Sequence, residues 1–156
     1  QDSNPLVRWR GVEVRRFRNH GYLMRPLEHH DSRAERHFNA ERSLTIAAGT
    51  LTTRRTQGAG IRLDDGLASV AVRFRQGGER CRPSGRVGSH PLKKIMQELQ
   101  IPPWLRDRIP LIYVGEDIAS VAGQFICHEF VAGATQMGWE FGWSLSGVDL
   151  SDRQRS

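Results

Sequence analysis

Cysteine is scarce: Cys81 and Cys127 are the only two in 156 residues. They form no C-x-x-C, and no histidine pair stands at ligand spacing, which argues against a structural zinc. Such usage suits a reducing compartment, with a single disulfide left open. No run approaches the roughly 18–20 apolar residues that span a bilayer. A starting Met and a charged-then-apolar leader are also missing, so neither an anchor nor a signal peptide is expected, and the expected location is cytoplasmic. Catalytic signatures are absent too. There is no G-x-S-x-G elbow, no H-E-x-x-H, no dinucleotide fingerprint and no G-x-x-x-x-G-K-[ST]. Acidic residues in the middle of the chain are isolated, so no paired-carboxylate site suggests itself.

What is present is positive charge, unevenly placed. The net charge is +6, with 38% hydrophobic and 26% charged residues. That composition is globular. Between Arg73 and Arg108 stand nine basic and three acidic residues, an excess equal to that of the whole chain. From Leu111 onward there are two basic and six acidic residues. A basic middle with an acidic end fits an anionic macromolecule as partner. A solvated basic face in an arginine-rich sequence is the alternative, since only two of the 23 basic residues are Lys.

The pattern predicts an α+β fold with strands in the majority. Residues 6–24 alternate as short strands around the turn residues Asn19-His20-Gly21, a hairpin. Residues 28–42 are polar and read as a linker. Its His29-His30 and His37, with Glu35, read as loop histidines rather than a metal site. Strands follow from Ser43 to Arg75. Within them Val72 and Phe74 point one way and Arg73 and Arg75 the other. Leu92, Ile95, Met96 and Leu99 fall on one helical face and predict the main helix at about 90–100, with Ser89 as N-cap and Pro91 in the first turn. Ile101-Pro102-Pro103 ends it, and one further helical turn fits Pro103–Asp107. A second hairpin is expected around Gly115-Glu116-Asp117. A last strand carries Trp139, Phe141 and Trp143. Trp104, Tyr113 and Phe125 could stack on bases, but core packing is the simpler expectation.

A glycine-rich turn, Pro83 to Ser89, delivers the chain to that helix. Helix N-termini present free N–H groups and a positive dipole end to anions. Lys93 and Lys94 fall in the first turn, where cations oppose the dipole by about 0.3–1 kcal/mol each. They lie off the apolar face, so burial does not require them. A phosphate bound there would explain them; two solvated surface lysines are the alternative. His90 could bond a phosphate oxygen or help to cap the helix. Gly85-Arg86-Val87-Gly88 also matches the bare G-x-x-G of KH domains, but those need a preceding helix, and here a strand pattern and Pro83 precede.

The run Leu92-Lys-Lys-Ile-Met-Gln-Glu-Leu99, then Ile101-Pro-Pro-Trp-Leu-Arg-Asp107, resembles the C-terminal domain of tRNA(Ile)-lysidine synthetases. The resemblance is strong from Gly85 to Gly115 and continues more weakly from about Leu63 to Leu145. Residues 6–24 look like the closing hairpin of that family's middle, substrate-recognition domain. The resemblance implies a layered domain with an unusual β-sandwich. It places residues 1–27 at the end of the middle domain, 28–42 as linker, 43–149 as C-terminal domain and 150–156 as a disordered tail. It implies a portion of a longer ligase that joins lysine to the wobble cytidine of tRNA(Ile) with a CAU anticodon. ATP and Mg would then belong to a catalytic PP-loop domain marked by S-G-G-x-D-S. That motif is absent: Gly77-Gly78 is followed by Glu79. This chain by itself is therefore expected to be inactive, to carry no cofactor, and to hold the acceptor arm of tRNA(Ile) beside the enzyme's own catalytic domain; a homodimer is compatible with the sequence. Carried over by position, the expected contacts are Arg86, Ser89, His90, Lys93, Lys94 and Arg106, with Arg73, Arg75, Arg80 and Arg82 as secondary candidates. A small-molecule phosphate-binding domain and a structural or dimerisation domain are the rival readings.

Overall fold

The structure is a computed structural model and describes residues 6–9, 11–24, 26–27, 29–39, 43–46, 49–62, 69–145 and 148–149. The tail expected at 150–156 lies outside them. The first sheet is antiparallel and joins β1 (Leu6–Trp9), β2 (Val12–Phe17) and β3 (His20–Met24). The β2–β3 turn is Arg18-Asn19, one residue earlier than the sequence suggests, with Arg18 at φ 56°. Alternation gives this sheet two faces. Val14, exposed, sits across from Val7 and Leu23 on the outer face. Glu13 and Phe17 are buried on the inner face. There Phe17 and Tyr22 meet the Trp104 ring edge-on at 6.3 and 5.4 Å, and the Arg15 guanidinium lies over it. Trp104 thus packs this sheet against the rest of the molecule instead of standing free for a base.

Glu13 is 1% exposed. Its carboxylate accepts from Arg8 Nε at 2.9 Å and from Arg15 at 3.1 Å. Burial pushes its pKa up, but the hydrogen bonds and charges of Arg15 and Arg8 outweigh burial and hold it below the ordinary 4.5. A depressed carboxylate stabilises the fold at neutral pH, and that stability disappears as pH falls below about 4.5 through the lower folded value. Glu13→Gln is therefore expected to lower stability at pH 7 by about 1.5–3 kcal/mol, and to flatten its decline in acid. Urea unfolding at stepped pH measures both.

The next strands are β4 (Arg36–Asn39), β5 (Leu44–Ile46), β6 (Gly49–Gln57), β7 (Ile61–Arg62) and β8 (Ser69–Arg73). Two short strands, β9 (Arg80–Cys81) and β10 (His90–Pro91), precede helices α1 (Leu92–Glu98) and α2 (Pro103–Arg106). Then come β11 (Leu111–Val114), β12 (Asp117–Val121), β13 (Phe125–Ile126), a 3-10 turn (His128–Phe130), β14 (Met137–Leu145) and β15 (Val148–Asp149). They build three further antiparallel sheets among the described residues: the pair β9-β10 and two larger ones, ordered β13-β12-β11-β8-β4 and β15-β14-β6-β5, with β7 also on β14. Residues 36–39, read from the sequence as linker, instead form an edge strand with Arg36 opposite Val72. Edge strands tolerate charge, so composition hides this one. The α+β, mostly antiparallel fold with one main helix is the one the sequence predicts.

A single apolar cluster joins both larger sheets and the helices: Val72 and Leu111, Leu51 and Phe141, Leu92, Ile95 and Met96. Glycine permits the closest approach. A Cβ on Gly138 would lie 2.0 Å from the Ala59 carbonyl oxygen, so the turn after β6 can press against β14 there only because the residue is glycine.

The helix differs from expectation at both ends. His90-Pro91 pairs with β9, so the N-cap is Pro91, without a side-chain cap, and not Ser89. At the far end Leu99 is the C-cap and is 39% exposed. Gln100 adopts φ 59°, Gln100 N donates to Gln97 O and Ile101 N to Met96 O, each at 3.0 Å. This is a Schellman motif with Gln where Gly is usual. It turns Ile101 into the core place expected of Leu99. Gln100→Gly should raise stability by about 0.5–1 kcal/mol, because it removes left-handed strain at some entropic cost. The urea midpoint would show it.

Candidate nucleic-acid interface

The candidate site is the segment β9–loop–β10–α1. Its loop, residues 82–89, turns on Gly85 and Gly88, at φ 83° and 77°. Strand β9 leads into it, and among the described residues no helix precedes it, which sets it apart from a KH clamp. Arg80 donates to Ser89 O at 3.0 Å, Arg82 Nε to Arg86 O at 2.8 Å, and His90 Nε2 to Val87 O at 3.0 Å. These bonds consume one donor each and fix the loop's shape. The base of the loop is stitched to the neighbouring sheet: Ser84 N donates to Ile126 O at 2.9 Å and His128 N to Arg82 O at 2.8 Å.

The cations expected at the site divide by their partners. Arg73 pairs with Glu35 at 2.8 Å, reaches Glu116 at 3.9 Å and stacks on Tyr113. Arg75 pairs with Asp107 at 2.9 Å. Arg86 pairs with Glu98 at 2.8 Å, which ties the loop to the end of α1. Arg106 is a correction to the sequence reading: it is 5% exposed and its Nε donates to Ile101 O at 3.0 Å. A guanidinium so enclosed braces the turn after α1 and offers no surface to a phosphate. Arg80, Arg82, Lys93 and Lys94 are exposed, and none has a carboxylate partner among the described residues. They lie on one continuous stretch, because Arg80 pairs with Pro91 in register and α1 begins at the next residue.

The helix N-terminus contributes less than the sequence suggests. Pro91 has no N–H, and Leu92 N donates to Glu79 O at 2.8 Å. Side-chain charge adds to the N–H groups that remain in the first turn. Beside it, a cleft is lined by Arg80, Arg82, Ser89 and, from the 3-10 turn, His128 and Glu129. No sequence pattern ties His128 to the 80s; the link is the backbone pairing of Pro83 with Cys127. Elsewhere, His37 pairs with Glu35 at 2.9 Å and His30 donates to Asp107 O at 2.7 Å. Among the described residues no cluster of three metal-binding groups occurs, and no helix is long and apolar enough to cross a membrane.

Comparison with known proteins adds the following. Residues 70–143 match the family model described as the TilS substrate C-terminal domain. A tRNA(Ile)-lysidine synthase from Coxiella burnetii is 41% identical over 140 residues, 88% of this chain and 31% of that protein. One from Methylococcus capsulatus is 39% identical over 138 residues, 86% of this chain and 31% of that protein. The chain thus spans about a third of the length of these curated relatives. A crystal structure of a TilS C-terminal domain superposes with a TM-score of 0.54 at 21% identity, covering 72% of this chain and 99% of the other, a likeness of fold.

Proposed function

Since residues 70–143 belong to the TilS C-terminal domain family, we propose that this chain is the tRNA-holding part of a tRNA(Ile)-lysidine synthase. The whole enzyme would join lysine to the wobble cytidine of tRNA(Ile) at the expense of ATP, and this part would hold the tRNA, chiefly its acceptor arm, for a catalytic domain elsewhere. This reading gives ATP and Mg no site here. The S-G-G-x-D-S motif is missing from the sequence, and the described residues offer no acidic cluster for a metal. Both would belong to the catalytic domain.

One observation carries the reading. Of the basic residues in the middle of the chain, Arg73, Arg75 and Arg86 are neutralised by carboxylates. Arg80, Arg82, Lys93 and Lys94 stay exposed along β9, its loop and the first turn of α1, with no carboxylate partner among the described residues. A metabolite needs one or two cations; four along one stretch suit a phosphate backbone. Fluorescence anisotropy with tRNA across a salt series tests it. Affinity should fall along a log–log line of slope set by ~3–5 phosphate contacts. A flat line would leave the domain without its partner. The chain incubated with ATP, lysine and tRNA(Ile) should release no AMP, as read by thin-layer chromatography against a protein-free blank.

A further inference from the structure

The two cysteines, 46 positions apart, meet. Both are free thiols, 7% and 4% exposed. Pro83 pairs antiparallel with Cys127, so Cys81, two residues before Pro83, projects from the same face as Cys127. Diagonal neighbours of that kind lie on one face of the strand pair, and each thiol is near enough to shift the other's pKa. They are not sealed in the core. Both line the cleft beside Arg80, Arg82 and His128, whose volume of about 190 Å³ admits several waters and hence a small peroxide.

We propose that Cys81 and Cys127 form an oxidant-responsive dithiol that closes to a disulfide on reaction with hydrogen peroxide entering this cleft. The Cys81 sulfur attacks one peroxide oxygen; the O–O bond breaks, water leaves and Cys81 becomes a sulfenic acid. The Cys127 sulfur then attacks the Cys81 sulfur, the S–O bond breaks and a second water leaves. Two thiols lose two electrons and two protons, and one hydrogen peroxide is reduced.

The surroundings assign the order of the two sulfurs. The neighbouring Cys127 thiol and the charge of Arg86 lower the pKa of Cys81 against the effect of burial. The Cys81 thiol, burial and nearby Glu129 push that of Cys127 up. Thiolate is the nucleophile, so Cys81 attacks and Cys127 resolves. The site is independent of the tRNA reading, although it underlies the loop that carries Arg82.

Intact-mass analysis of the folded chain after one equivalent of hydrogen peroxide tests the proposal. The expected product is a monomer that has lost two hydrogens and regains them with dithiothreitol. Cys127→Ser should instead accumulate a dimedone adduct on Cys81, and Cys81→Ser should label at Cys127 about tenfold more slowly. Circular dichroism confirms that each variant is folded; if either is not, the wild-type mass result decides alone. Loss of hydrogens only in urea, disulfide-linked dimers in place of the monomer, or equal labelling of the two folded variants would overturn the proposal.

Discussion

Replacing Lys93 and Lys94 together with Glu is expected to cut tRNA affinity at least tenfold at low salt while leaving the fold intact. Both side chains are exposed, and neither has an acidic partner to lose among the described residues. The first turn of α1 holds no acidic residue, so two Glu there complement the helix dipole by roughly 0.3–1 kcal/mol each. Thermal stability should hold or rise slightly. The salt slope should become shallower by ~2, one unit per lost phosphate contact. Anisotropy titrations at stepped salt read affinity and slope together. If the variant unfolds, the lysines serve the fold. If it stays folded with an unchanged slope, the tRNA sits elsewhere.

The second large effect concerns stability. Leu92 is fully buried in the cluster shared by the two larger sheets and the helices. Leu92→Ala should cost about 2–5 kcal/mol, the lost transfer energy plus the cavity left behind. Leu99→Ala, seven residues on and on the same helical face by spacing, should cost only about 1 kcal/mol because Leu99 lies past the helix end and is 39% exposed. The pair of urea midpoints separates a periodic position from a buried one. Equal costs would contradict the C-terminal geometry described for α1.

What sequence could reveal follows from the range of the interactions. The face of Leu92, Ile95 and Met96 and the inward Val72 and Phe74 are set by periods of a few residues, and both are where the pattern puts them. The end of α1 was hidden because Gln100 takes the left-handed turn that sequence reading assigns to Gly. Ser89 looked like a cap because nothing local shows that His90-Pro91 is claimed by β9. The stretch of charge was legible in outline, since the basic excess of 73–108 is plain in the sequence. Which cations remain uncompensated was not. Glu35 neutralises Arg73 from 38 positions away and Asp107 neutralises Arg75 from 32, distances at which composition carries no pairing information. Arg106 sits inside the family-like run yet is consumed by a backbone carbonyl five residues back. The meeting of Cys81 with Cys127 likewise depends on one backbone bridge.

Photo-cross-linking of tRNA to the chain, followed by peptide mapping, tests most directly where the nucleic acid lies. The account predicts adducts concentrated between Arg80 and Lys94, on the strand, loop and first helical turn that carry Arg80, Arg82, Lys93 and Lys94. Adducts confined to another basic surface, such as Arg54 and Arg55 on β6, with none in that segment, would contradict it.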